Sequence, residues 1–159
     1  MCIRDRNDTE FPKTEKVEFL ATKEIVEDRI EFLEKKIKQD PSVFSLKKEL
    51  ENLIMENNPN QENNLDDALK TIERFPRYFE FAKSSLQRPE LVNINHALVE
   101  QKATYFLLKN KIPEWGKKNA TTALALNHFL DKNKTAQLAV KDWIAFLNSA
   151  KFEIGNATD

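Results

Sequence analysis

Gly116 and Gly155 are the only glycines in a chain of 159 residues. Glycine supplies the positive-φ turns and close backbone approaches that β-sandwiches, dinucleotide-binding units and phosphate-cradling loops require. A chain this poor in glycine is predicted to be all-helical. Its length suits one domain, and 40% apolar residues suffice for a core. The 25 basic and 26 acidic residues leave a net charge of −1, so no basic stripe marks nucleic acid as a partner. Cys2 is the sole cysteine, which leaves no disulfide or thiolate zinc site within one copy. No apolar run approaches ~18 residues, the length a membrane span demands.

Helical periodicity accounts for most of the chain. "EKVEFLATKEIVEDRIEFLEKKIKQD", Glu15 to Asp40, carries Phe19, Val26, Ile30, Leu33 and Ile37 on one stripe, with Thr14 as N-cap and Pro41 as stop. A coiled coil is the alternative, but about three heptads ending at a proline favour a bundle helix. A second helix follows in "PSVFSLKKELENLIMEN", with Phe44, Leu46, Leu50, Leu53 and Ile54 inward. The polar stretch Asn57 to Asn64 reads as a loop. In the third helix Asn64 is the expected cap, and Leu65, Leu69, Ile72, Phe75, Phe79, Ala82 and Leu86 keep phase across Pro76. Continuous phase means either one kinked helix or two nearly coaxial ones, and the kink is favoured because Arg74 and Phe75 are poor caps. A fourth helix places Leu91, Ile94, Leu98, Tyr105 and Leu108 in step and is expected to end at Pro113. Thr121 to Asp131 and Thr135 to Ala150 make two more, the last with Leu138, Trp143, Ile144 and Leu147 inward. "KFEIGNATD" is expected to leave as an extended tail. The prediction is an antiparallel bundle of about six helices, one proline-kinked.

No catalytic motif stands out. His96 and Glu100 share a helix face at i, i+4, a spacing that can hold metal, yet a third ligand is missing. The pair is read as a local, partly exposed helix contact, and His128 as a boundary residue. The carboxylates lie among lysines on solvated faces. Ser84 and Ser85 form no nucleophile elbow. Phe75, Tyr78, Phe79 and Phe81 could line a groove, though their helical phase favours a core. Asn119, Asn133 and Asn156 begin glycosylation sequons of a kind that chance produces in an Asn-rich chain. No HExxH, P-loop or CxxC is present, so no catalytic, cofactor-binding or metal residue is assigned. The opening "MCIRDR" lacks the apolar region of a signal peptide and resembles translated adapter read-through from metagenomic contigs. Residues 1–10 are therefore set aside as an artefactual or disordered segment, with the helical region over 11–159. On that expectation the opening says nothing of the compartment.

The order of these features resembles a bacterial family, the domain of unknown function 885. "ERFPRYFEFAKSSLQRP" is similar to its "R-L-x-x-[IL]-P-x-[FL]-L-x-x-A-[RK]-x-x-L" signature, with the proline in the same place. Asp40, Pro41 and Phe44 match its "DP-x-x-[YF]" turn, and Lys151 to Gly155 its "F-x-[IL]-G" exit. "ALVEQKATYFLLKNKIP" and "ALALNHFLDKN…AVKDWIAFL" resemble its next helices, so the likeness covers about Phe11 to Asp159. The resemblance implies a larger, all-helical parent with a fold like the carboxypeptidase Taq group of zinc peptidases. Its HExxH zinc motif would come after the exit, where two His hold zinc and the Glu activates water. No family catalytic residue maps onto this chain. The implied role is a non-catalytic N-terminal part that walls the parent's substrate cleft. Its partners would be the remainder of the parent and, through it, a peptide substrate; zinc would belong to the parent alone. The alternative is a complete small helical interaction module without enzymatic activity. An exposed apolar stripe would distinguish a half-domain from a complete bundle.

Overall fold

Prolines govern where this chain bends and where it does not. The structure, a computed structural model, describes the backbone of residues 13–55 and 64–157, and side chains over 22–55 and 64–155. The expectations for "MCIRDR", for Phe19, for the Asn57–Asn63 loop and for the Asn156 sequon lie outside the described residues. Helix α1, Lys13–Gln39, ends where Pro41 drives Asp40 into extended backbone (φ −119°, ψ 99°). The Asp40 carboxylate then caps a 3-10 turn, Pro41–Val43, accepting from the Ser42 N–H at 2.9 Å. Next come α2 (Lys47–Met55), α3 (Asn64–Glu73) and α4 (Phe75–Ser85). Pro89 precedes α5 (Leu91–Phe106), a π turn (Leu107–Lys111) and α6 (Ile112–Asn119). The chain closes with α7, Ala123–Ala157. No strand occurs among the described residues, so the all-α class holds.

Pro76 bends a rod, as its phase foretold. The break between α3 and α4 is one residue, Arg74, which keeps right-handed helical backbone (φ −76°, ψ −18°). Its N–H donates to the Thr71 carbonyl at 3.3 Å and its carbonyl accepts from Tyr78 N–H at 2.9 Å, so the ladder tightens and resumes. Ala68, Ile72, Phe75, Phe79 and Ala82 are all buried, on one face spanning the bend.

Pro113 behaves differently from expectation. It does not end the helix: the π turn widens the rod just before it and α6 continues. The reason is local. The Ile112 N–H reaches back to Leu107 O, five residues away, which leaves Leu108 O without Ile112. Pro113, the next residue in line for Leu108 O, has no N–H to give. Asn133 Nδ2 takes the place at 2.7 Å, with Gln137 Nε2 at 3.4 Å.

Two further expectations fail at the C-terminal end. The predicted pair of helices, Thr121–Asp131 and Thr135–Ala150, is one helix, because Phe129, Asn133, Ala136, Val140, Trp143 and Leu147 form an unbroken inward stripe. Lys151–Gly155 is helical and not an extended exit, since α7 reaches Ala157. Thr14 lies inside α1 and does not precede it. With α3–α4 and α5–α6 each forming one rod, the described residues make five helices where about six were expected.

The chain divides into two compact units, the first reaching Lys36 and the second starting at Ile37. In the first, Ile25, Val26, Ile30, Phe32 and Leu33 are exposed, against the expectation that Val26, Ile30 and Leu33 face inward. In the second, α7 packs against α3, α4, α5 and α6. Trp143 stands at the centre, stacked on Phe79 (5.9 Å, 22°) and Phe146 (5.5 Å, 12°) and meeting Phe44 edge-on (6.1 Å). Each such pair adds about 0.5–1.5 kcal/mol beyond area burial. Leu91 and Leu138, expected inward, are exposed, while Ala97, Gln101 and Val140 on the same two helices are buried.

Candidate functional site

The outer side of the bent rod carries a groove lined by Lys70, Glu73, Arg74, Arg77, Tyr78 and Phe81. Its open volume is roughly 770 Å³, within the ~300–1,000 Å³ of small-ligand sites. These residues recur at i, i+3, i+4, i+7, i+8 and i+11, one helical stripe turned away from the buried one. The bend at Arg74 holds both halves of the stripe in line.

Charge is distributed unevenly along it. Lys70, Arg74 and Arg77 stand one turn apart, and like charges at i, i+4 cost about 0.2–0.5 kcal/mol per pair. None of the three makes an ion pair among the described residues, where the pairs are Lys23–Glu27, Lys47–Glu51 and Lys83–Glu80. Lys83 holds Glu80 at 3.1 Å, which removes the carboxylate nearest in sequence on the C-terminal side of Arg77. Glu73 is the one acidic residue of the lining.

The far end is aromatic. Phe44 meets Tyr78 (5.9 Å, 70°) and Phe81 (6.1 Å, 71°) edge-on, which fixes both rings from below. Phe81 remains 57% exposed, a large apolar surface at the groove's end. Burial, with the Glu49 charge adding to it, pushes the Tyr78 phenol above its ordinary value against a smaller lowering by a hydrogen bond from the Ser45 backbone. Tyr78 thus stays protonated at neutral pH. The four aromatics therefore divide: Phe75 and Phe79 are core, while Tyr78 and Phe81 line the groove.

The other candidate residues separate in the structure. Glu100 accepts from Ser45 Oγ at 3.1 Å, and no His96–Glu100 ion pair forms among the described residues, so the expected local pair is replaced by a tie to the turn before α2. His96 and His128 are exposed. The hydroxyls of Ser84 and Ser85 both donate to Phe81 O, at 2.9 and 2.8 Å, which occupies them within their own helix. Asn133 is buried with its amide on Leu108 O, and Asn119 Nδ2 donates to Trp115 O at 2.9 Å. Among the described residues, no three His, Cys, Asp or Glu side chains converge as a metal-ligand group. The aromatic end, with Tyr78 and Phe81, belongs to the groove weighed as the alternative to a core, but the cationic half was missed; the i, i+4, i+7 spacing of Lys70, Arg74 and Arg77 was the available signal.

Compared with known proteins, the chain matches no family model, no curated protein and no solved structure.

Proposed function

We propose that this chain is a non-catalytic helical part of a larger bacterial protein resembling zinc-dependent peptidases, and that it walls the parent's substrate cleft. The motif order from "DP" at Asp40–Pro41 to "FEIG" at Phe152–Gly155 supports the resemblance. The observation that carries the reading is apolar exposure: Ile25 at 67%, Phe32 at 62% and Val26, Ile30 and Leu33 between 44% and 51%. Burying such side chains is worth about 1.5–3 kcal/mol each, which is what a covering partner would gain. The remainder of the parent is that partner. Zinc and the residues that activate water belong to the parent, and none of them is assigned here.

The test begins with the nucleotide sequence beyond the Asp159 codon. An in-frame continuation carrying HExxH is expected. Its product, co-expressed with this chain, should co-purify with it, and Ile30→Glu with Leu33→Glu should abolish the association. A stop codon directly after Asp159, together with a monodisperse monomer that binds no apolar dye, would instead identify a complete helical module.

A further inference from the structure

We propose that the stripe Lys70–Phe81 is a docking site for an acidic amphipathic peptide segment, with carboxylates one helical turn apart followed by an apolar side chain. The inference goes beyond a structural wall for a parent enzyme and holds with or without one. Charge complementarity is the first argument. Lys70, Arg74 and Arg77 repeat at the spacing of one helix face, and at 1.5 Å per residue they extend over about 10 Å. Carboxylates at i, i+4 on a peptide helix repeat at that same interval, so each could meet one cation. The three cations lack ion pairs among the described residues, and Glu80, the carboxylate nearest to Arg77 on its C-terminal side, is held by Lys83. Glu73 offsets one of the three charges without an ion pair to any of them, which leaves the stripe with a net positive charge.

The second argument is the aromatic end. Tyr78 and Phe81 lie a turn beyond Arg74 and Arg77, fixed by the Phe44 edge, and Phe81 turns more than half its surface outward. A purely ionic ligand such as phosphate leaves this surface unused. A peptide carrying an apolar residue after its carboxylates covers it. Nucleic acid fits less well, because Glu73 reduces the groove to two net positive charges and the whole chain carries −1.

Fluorescence anisotropy with a fluorescein-labelled peptide of Glu-Glu-Leu-Leu repeats tests this on the full chain. Saturable binding is expected that weakens with added salt. Arg74→Glu with Arg77→Glu should weaken it by about tenfold or more, and Phe81→Ser should weaken it too. Lys117→Glu, on α6 and outside the groove, should not. Helix content by circular dichroism accompanies each variant; should the double reversal unfold, Arg77→Gln alone carries the same expectation. Equal affinity for the Gln-Gln-Leu-Leu counterpart would overturn the proposal. So would binding indifferent to Arg77, or displacement of the peptide by inorganic phosphate or phosphatidylglycerol vesicles at comparable concentration.

Discussion

At Gly116 the chain needs the absence of a side chain. A Cβ built there would lie 2.6 and 2.7 Å from Phe129 ring atoms, and that ring is fully buried. Gly116→Ala gains about 1 kcal/mol of helix propensity, but overpacking costs about 1–3 kcal/mol. The expected outcome is net destabilisation on the order of 1 kcal/mol by urea unfolding. Gly155→Ala is the contrast: nothing lies within 4 Å of its Cβ, so the same change in α7 should be neutral or stabilising. Asn133 is defined by a carbonyl that Pro113 leaves unpaired. Asn133→Ala removes the 2.7 Å donor to Leu108 O and is expected to cost about 1–3 kcal/mol. In a Pro113→Ala background the restored N–H should reduce that penalty, so a double-mutant cycle should show coupling. Additive losses would refute the capping role. Tyr78 supplies a pH signature. Its pKa is raised on folding, so above the ordinary value of about 10 the native state holds the proton that the unfolded chain releases. Stability should fall as pH rises through that window, and the fall should be smaller in Tyr78→Phe.

At the scale of elements, Pro76 tests whether the bend belongs to the proline or to the packing. Ile72 and Phe75 before and beside it, and Phe79 and Ala82 after it, are all buried, and both α3 and α4 pack on α7. Alanine regains a backbone hydrogen bond only if the rod straightens, which would lift Phe79 off Trp143. It also frees the unfolded chain, a loss of about 0.4–1 kcal/mol. Pro76→Ala is therefore expected to lower stability by about 1 kcal/mol in thermal or urea unfolding. An unchanged or raised midpoint would show that the rod tolerates either geometry. The groove follows from the same element, since a break of two residues at Arg74 would have rotated Lys70 away from Arg77.

At the scale of the whole molecule, the proposed non-catalytic role expects the purified chain to take up no zinc stoichiometrically and to hydrolyse no peptide. Equilibrium dialysis and peptidase assays on the purified chain check this. Saturable uptake lost on His96→Ala would overturn it. Much of the architecture was legible beforehand: two glycines implied helices, and the phase from Leu65 to Leu86 located the bent rod and its buried face. What the sequence determined by itself was therefore the local period and the points of interruption. Tertiary structure alone decided which interruptions mattered. Asp131–Lys134 reads as a polar gap, yet Asn133 fills an inward slot, because a backbone carbonyl freed by a distant proline makes an amide the best-fitting core residue there. Gln101 is buried for a similar reason, donating to Phe44 O at 2.7 Å. Leu91, Leu138, Val26, Ile30 and Leu33 are exposed although their period is right. Periodicity reports that a helix has an apolar face; only packing decides whether another surface covers it.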